Sequence, residues 1–168
     1  MNHTPEPYVA NLKMTKIMED KVERFKKVAI GATAPAISLP DANGTMKTLD
    51  DLKGKYTLLD FWASWCSPCL LQVPDLKEAY DKYHEKGFEI IGVSVDSKGD
   101  RWKRSIEKYE MNWPHISDLK GWKSEAAAEY NVTFIPFNML IAEDGKILAK
   151  NLHSKALQGK LEELFSRN

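Results

Sequence analysis

The chain has two cysteines, and both lie in Trp65-Cys66-Ser67-Pro68-Cys69. Cysteines so spaced can cycle between dithiol and disulfide, hold half a zinc site, or close a small structural loop. Zinc wants four ligands, and the others would have to come from His3, His84, His115 or His153, no two of which have ligand spacing. A structural disulfide over so short a loop constrains the unfolded chain little. Redox chemistry is the reading that fits, with no metal and no cofactor beyond the Cys66–Cys69 disulfide itself. That chemistry needs an accessible thiolate, whereas ordinary cysteine has a pKa of about 8.5. Residues 56–63 read as a buried strand and the residues after the motif as a helix. Cys66 therefore falls at a helix N-terminus, where free N–H groups and the dipole favour the charged sulfur. Cys66 is the expected nucleophile. Cys69, one turn in, is expected to be more buried and to resolve the mixed disulfide. Pro68 suits a first helical turn but brings no donor, so the N–H groups that polarise Cys66 come from neighbours.

Other side chains fit around this pair. Asp60 stands inside the apolar run before the motif, with no partner evident in the sequence. Burial raises a carboxyl's pKa, and a raised carboxyl near Cys69 can take the resolving thiol's proton, directly or through water. A structural role for Asp60 is the plainer alternative. Ile135-Pro136 precedes an expected strand. Proline is common at a strand's first residue, while a cis peptide here would leave a neighbouring backbone edge free for an extended substrate. Trp62 reads as core. Trp65 reads as a rim residue that contacts the partner. Trp65, Ser67, Pro68, Ile135 and Pro136 are thus the expected substrate-binding residues. His115, Trp102, Trp113 and Trp122 are expected to be packing residues.

The elements that position these residues follow from periodicity. Residues 8–29 place Met14, Met18, Val22, Phe25 and Ala29 at helical spacing among Lys and Glu, an amphipathic helix ending near Gly31. It either caps its own domain or connects to a preceding one. Residues 37–39 and 46–49 flank Asp41-Ala42-Asn43-Gly44, the chemistry of a hairpin turn. Strand 56–62 follows, then a helix through Leu70, Val73, Leu76, Tyr80 and Tyr83, kinked at Pro74. Residues 87–95 suit a central parallel strand. Helices are expected over 101–110 and 124–130, with an aromatic-rich connection between them. A hairpin turns at Glu143-Asp144-Gly145, and residues 156–165 close with a helix. Strands linked by helices give a parallel pair, and the last hairpin adds antiparallel strands: a mixed α/β sheet flanked by helices.

Bulk properties narrow the function. Across 168 residues, 24 Lys and Arg balance 24 Asp and Glu, so nothing in the charge points to nucleic acid or an anionic membrane. No apolar run approaches membrane-spanning length. The first seven residues hold no apolar signal core, so the chain as it stands is either cytoplasmic or a piece lying downstream of an export signal, any membrane tether being outside it.

The run Leu59-Asp60-Phe61-Trp62-Ala63-Ser64-Trp65-Cys66-Ser67-Pro68-Cys69 resembles the thioredoxin active-site segment. With Gly31 to Ile37, Leu52-Lys53-Gly54-Lys55, Ile90 to Asp96, Ile135-Pro136 and Asp144-Gly145-Lys146-Ile147, the chain from about 31 to 165 resembles the TlpA/ResA-like branch of the AhpC/TSA superfamily. The resemblance implies a thioredoxin fold with an N-terminal β extension and an insertion before the final hairpin. It divides the chain into an N-terminal helix or linker, 1–30, and a thioredoxin-like domain, 31–168. It implies an exported, periplasmic or cell-envelope thiol-disulfide oxidoreductase that acts as a reductant of protein disulfides and is recharged by an upstream electron-donor thiol protein. In the family the cysteine matching Cys66 attacks, that matching Cys69 resolves, and the proline matching Pro136 is cis; the buried aspartate of thioredoxin falls on Asp60. Two positions depart. Gln72 stands where ResA-like members carry a titratable glutamate, and Phe137 stands where thioredoxin has threonine. The competing readings are a redox-inert or metal-loaded binding module and a thiol peroxidase, although the peroxiredoxin cysteine pattern is absent.

Overall fold

A computed structural model describes residues 6–167, and the expectations for residues 1–5, His3 among them, lie outside it. The central sheet has five strands in the order β5-β4-β3-β6-β7. β3 (Tyr56–Trp62) occupies the middle because six of its seven residues are buried, leaving no face for water. β4 (Phe88–Ser94) runs parallel to it, and β6 (Phe137–Ala142) pairs antiparallel on the other side. β7 (Ile147–Lys150) completes the last hairpin, with a register shift between Leu140 and Ile141. The thioredoxin-like arrangement expected from the sequence is present.

An antiparallel pair, β1 (Ser38–Pro40) and β2 (Met46–Thr48), forms a separate small sheet before the central one. The Asp41 carboxylate accepts the N–H groups of Asn43 and Thr45, and Gly44 takes a left-handed φ of 81°. Leu49 does not extend β2. It opens the short helix α2 (Leu49–Leu52), because Thr48 and Asp51 form a reciprocal capping box.

Helices cover both faces of the sheet. On one face, Tyr56 meets Phe165 of α7 (Ser154–Ser166), and Phe165 stacks on Tyr83 of α4 (Val73–Tyr83). By alternation, Leu58, Asp60 and Trp62 share that face with Tyr56. On the other face Phe61 packs against Tyr130, just beyond α6 (Glu125–Glu129), and the Tyr130 hydroxyl donates to the Pro35 carbonyl.

The long helix expected after the motif is two helices, α3 (Ser67–Leu71) and α4, joined at Gln72. Pro74 has no N–H and its ring clashes with the carbonyl four residues back, so it can sit only in the first turn of a new helix. The connection after β4 holds α5 (Gly99–Lys108) and a two-residue edge strand, β5 (His115–Ile116), parallel to β4.

α1 (Glu6–Lys27) forms where the amphipathic pattern predicts, but it does not cap the domain. Met14, Met18, Val22 and Phe25 are all exposed, whereas Val28, just past its end, is buried. No helix among the described residues is long and apolar enough to cross a membrane.

Candidate active site

The motif lies where β3 gives way to α3. Cys66 and Cys69 are joined by a disulfide, with Cα atoms 5.3 Å apart. Cys66 is the N-cap of α3, and its Sγ accepts the Cys69 N–H at 3.2 Å. The donor is thus a neighbour's, as the proline at 68 requires. The two cysteines are equally buried, each 5% exposed, so Cys69 is not the more buried of the pair.

The segment leading into the motif is anchored from β4. Just past that strand, the buried Asp96 carboxylate accepts the Ser64 N–H at 3.0 Å, the Ser64 hydroxyl at 2.5 Å and the Ser94 hydroxyl at 2.6 Å. The Cys66 N–H donates to Ala63 O at 3.1 Å, closing the turn. This anchor escaped sequence reading, although Asp96 sits at the end of an expected strand, a usual place for a site residue.

Asp60 is buried, and its carboxylate makes no hydrogen bond among the described residues. Burial pushes its pKa up to about 7. Its neighbour in register on β6, Asn138, bonds elsewhere: its amide nitrogen donates to Leu152 O at 2.7 Å and its amide oxygen accepts the Leu152 N–H at 2.8 Å. Its neighbour on β4 is Gly92, which offers no side chain.

The Ile135–Pro136 peptide is cis and lies immediately before β6. Phe137 pairs with Phe61 at the end of β3 that runs into the motif, so topology brings the Pro136 loop and the cysteines to the same sheet end. The turn carrying Trp122 is tied there too, through the Gly121 N–H to Asp96 O. Trp102, Trp113 and His115 are buried as expected, but Trp122 is 49% exposed. Its ring lies 6.5 Å from that of Trp65, itself 52% exposed. Trp122 therefore belongs to the surface beside the motif and not to the core: Gly121, at a φ of 59°, turns the chain there and the indole faces outward. Phe134, 55% exposed beside Pro136, is a second aromatic that sequence reading missed. Ser67 and Pro68 are exposed, and Ile135 is half-buried. Arg101 and Arg104 line a small cavity with Trp65 and Ser64. A cavity of about 930 Å³ lies along α4, with Leu70, Leu71, Val73 and Pro74 among its lining residues.

Comparison with known proteins agrees with this geometry. Residues 30–150 match the AhpC/TSA family. The thiol-disulfide oxidoreductase ResA of Bacillus cereus is 36% identical over 142 residues, covering 83% of this chain and 80% of that protein. ResA of Bacillus subtilis is 32% identical, covering 73% and 67% respectively. Among solved structures, the thioredoxin domain of a thiol-disulfide oxidoreductase from Bacteroides vulgatus superposes with a TM-score of 0.76 at 36% identity, covering 82% of this chain and 98% of that one. A thiol-disulfide oxidoreductase from Bacteroides fragilis gives 0.73 at 36% identity, covering 79% and 98%.

Proposed function

Since the chain belongs to the AhpC/TSA family and is a thiol-disulfide oxidoreductase acting on protein thiols, we propose that it works as a reductant and that Cys66 is its attacking sulfur. The carrying observation is the cap: the Cys66 sulfur already accepts a backbone N–H at the start of α3, a contact that favours the thiolate once the disulfide is opened. In the reducing direction the Cys66 thiolate attacks a substrate disulfide and expels one substrate thiolate. Cys69 then loses its proton to Asp60 and attacks Cys66. The Cys66–Cys69 disulfide forms, and the second substrate sulfur leaves as a thiolate that takes a proton from water. Trp65, Ser67 and Pro68, with Ile135 and Pro136 across the sheet end, receive the substrate chain, and the exposed Trp122 and Phe134 extend that surface.

An upstream thiol protein returns the pair to its dithiol form, and the reaction takes place in the periplasm or cell envelope, with any tether outside this stretch of chain. Both statements rest on the resemblance to exported relatives.

The test is insulin reduction by dithiothreitol with wild type, Cys66→Ser and Cys69→Ser. Wild type should accelerate insulin precipitation, Cys66→Ser should fall to the uncatalysed rate, and Cys69→Ser should accumulate mixed disulfides. An inactive wild type, or an active Cys66→Ser variant, overturns the assignment.

A further inference from the structure

α5 carries its charge unevenly. Arg101, Arg104 and Lys108 follow one another at spacings of three and four, so they lie on one face of the helix, and all three are exposed. Trp102 and Ile106 lie on the side turned to the core. The basic face adjoins the motif: Arg101, Arg104 and Ser105 line a cavity of about 250 Å³ with Ser64 and Trp65, the two residues that lead into Cys66. Two residues of chain span at most about 7 Å, so the arginine wall borders the path of a disulfide that approaches the Cys66 sulfur.

Among the described residues, no carboxylate lies within ion-pair distance of Arg101 or Arg104, although lysines nearby are paired, Lys77 with Glu110 and Lys120 with Glu125. Asp100, at the start of α5, meets Arg104 only through its backbone carbonyl, which accepts the Arg104 Nε–H at 3.2 Å. Asp96 stands behind Ser64, but it is buried and its oxygens accept the Ser64 and Ser94 donors. The whole chain balances 24 basic against 24 acidic residues, so two unpaired arginines beside the reactive sulfur are a local feature and not a general basicity.

The rest of the rim is apolar or mixed in charge. Trp65 and Trp122 lie together on one side. Lys108 faces the groove along α4, where Glu78 and Asp81 offset Lys77 and Lys82. The positive sign is thus concentrated where Trp65 meets α5. A guanidinium is always charged, and its planar fork matches the geometry of a carboxylate.

We propose that Arg101 and Arg104 set substrate specificity: they receive an Asp or Glu side chain two or three residues from the cysteine that Cys66 attacks, so the protein selects disulfides lying in acidic segments. The proposal rests on the reading in which Cys66 attacks protein disulfides, and the exchange chemistry is unchanged by it. Charges at the rim of an interface act chiefly on the association rate and its salt dependence. The selection therefore appears in kcat/KM, and it fades as the Debye length shrinks from about 10 Å at 0.1 M salt to about 3 Å at 1 M.

The test presents the reduced full chain with three disulfide peptides that differ only two positions from the cysteine, where they carry Asp, Asn or Lys. A neighbouring charge also alters a disulfide's own reactivity, so each rate is divided by that of the same peptide with dithiothreitol. Wild type should favour the Asp peptide over the Lys peptide by about tenfold at low salt, and the ratio should approach one in about 1 M salt. Arg101→Gln with Arg104→Gln should bring the low-salt ratio to about one, and Arg101→Glu with Arg104→Glu should invert it. The ratio is taken within each protein, so a general loss of activity in a variant cancels. Lys103→Gln removes a charge from the opposite face of α5 and should keep the preference. A ratio that survives in the double Gln variant, or that falls equally with Lys103→Gln, overturns the proposal. Should the double variants fail to fold, the wild-type salt series decides, and a preference undiminished in high salt overturns it. Wild type reducing all three peptides at equal normalised rates overturns the arginine role alone, whereas wild type reducing none of them overturns the oxidoreductase reading beneath it.

Discussion

Asp60 is a carboxyl held where its charge is disfavoured, and that has two consequences of opposite sign. Its folded pKa is raised from 3.8 to about 7 by burial, so the folded protein holds the proton more tightly than the unfolded chain. The stability this confers is fully present below about pH 4 and is lost as pH rises through 7. The displacement corresponds to roughly 4 kcal/mol, an upper figure for a buried group. Asp60→Asn, which cannot ionise, should therefore stabilise the oxidised protein by on the order of 2–4 kcal/mol at pH 8.5 and by almost nothing at pH 4, read from urea midpoints at each pH. Equal gains at both pH values would show that the carboxyl is not raised. The kinetic effect runs the other way. Resolution by Cys69 needs the carboxylate, so the wild-type rate should rise with pH through about 7. Asp60→Asn should lose that limb and resolve about 10²-fold more slowly, measured by single-turnover release of a mixed disulfide.

At the scale of elements, the motif is precise because β4 holds the loop that β3 feeds into it. Asp96 accepts three hydrogen bonds from Ser64 and Ser94. Asp96→Ala leaves the Ser64 N–H and two hydroxyls unpaired in a mostly buried place, a loss of about 2–3 kcal/mol. The midpoint of denaturation should fall accordingly with its slope unchanged, and insulin reduction should slow although both cysteines remain. A stable variant with full activity would mean that the anchor does not position Cys66. Much of this frame is legible in the sequence, since unbroken apolar runs mark β3 and β4, Asp144-Gly145 marks the β6–β7 turn, and Pro74 marks the break between α3 and α4. β5 is not legible: two residues have no periodicity, and His115–Ile116 is a strand only because Gly92 and Val93 lie alongside. The same limit hides the site's wider parts. Asp60 stands out as a carboxylate among apolar residues, but its place beside Gly92 and His115 is a matter of register between segments far apart in the chain. Trp122 departs from the packing role expected of an indole because the turn at Gly121 faces it outward.

Across the whole molecule, the reactive end and the N-terminal helix are physically separate problems. The core is closed by the sheet and by α4, α6 and α7, while α1 leaves Met14, Met18, Val22 and Phe25 in water. Burying a side chain of that size is worth about 1.5–3 kcal/mol, so a helix that docked on the domain would contribute several kcal/mol to its stability. This one contributes no such burial. Anchoring starts only at Val28, and the Gly31 N–H then donates to Ile147 O while the Ile147 N–H donates to Ala32 O, stitching the chain onto β7. A chain beginning at Val28 should therefore melt within about 2 °C of the full chain, because a loss of 1 kcal/mol moves a domain of this size by only 2–4 °C. It should also reduce insulin at the full-length rate, since among the described residues neither cysteine, Asp60 nor Asp96 makes a hydrogen bond to α1. A large drop in melting temperature would mean that α1 folds back onto the domain in solution and that its apolar stripe is covered by the protein's own surface.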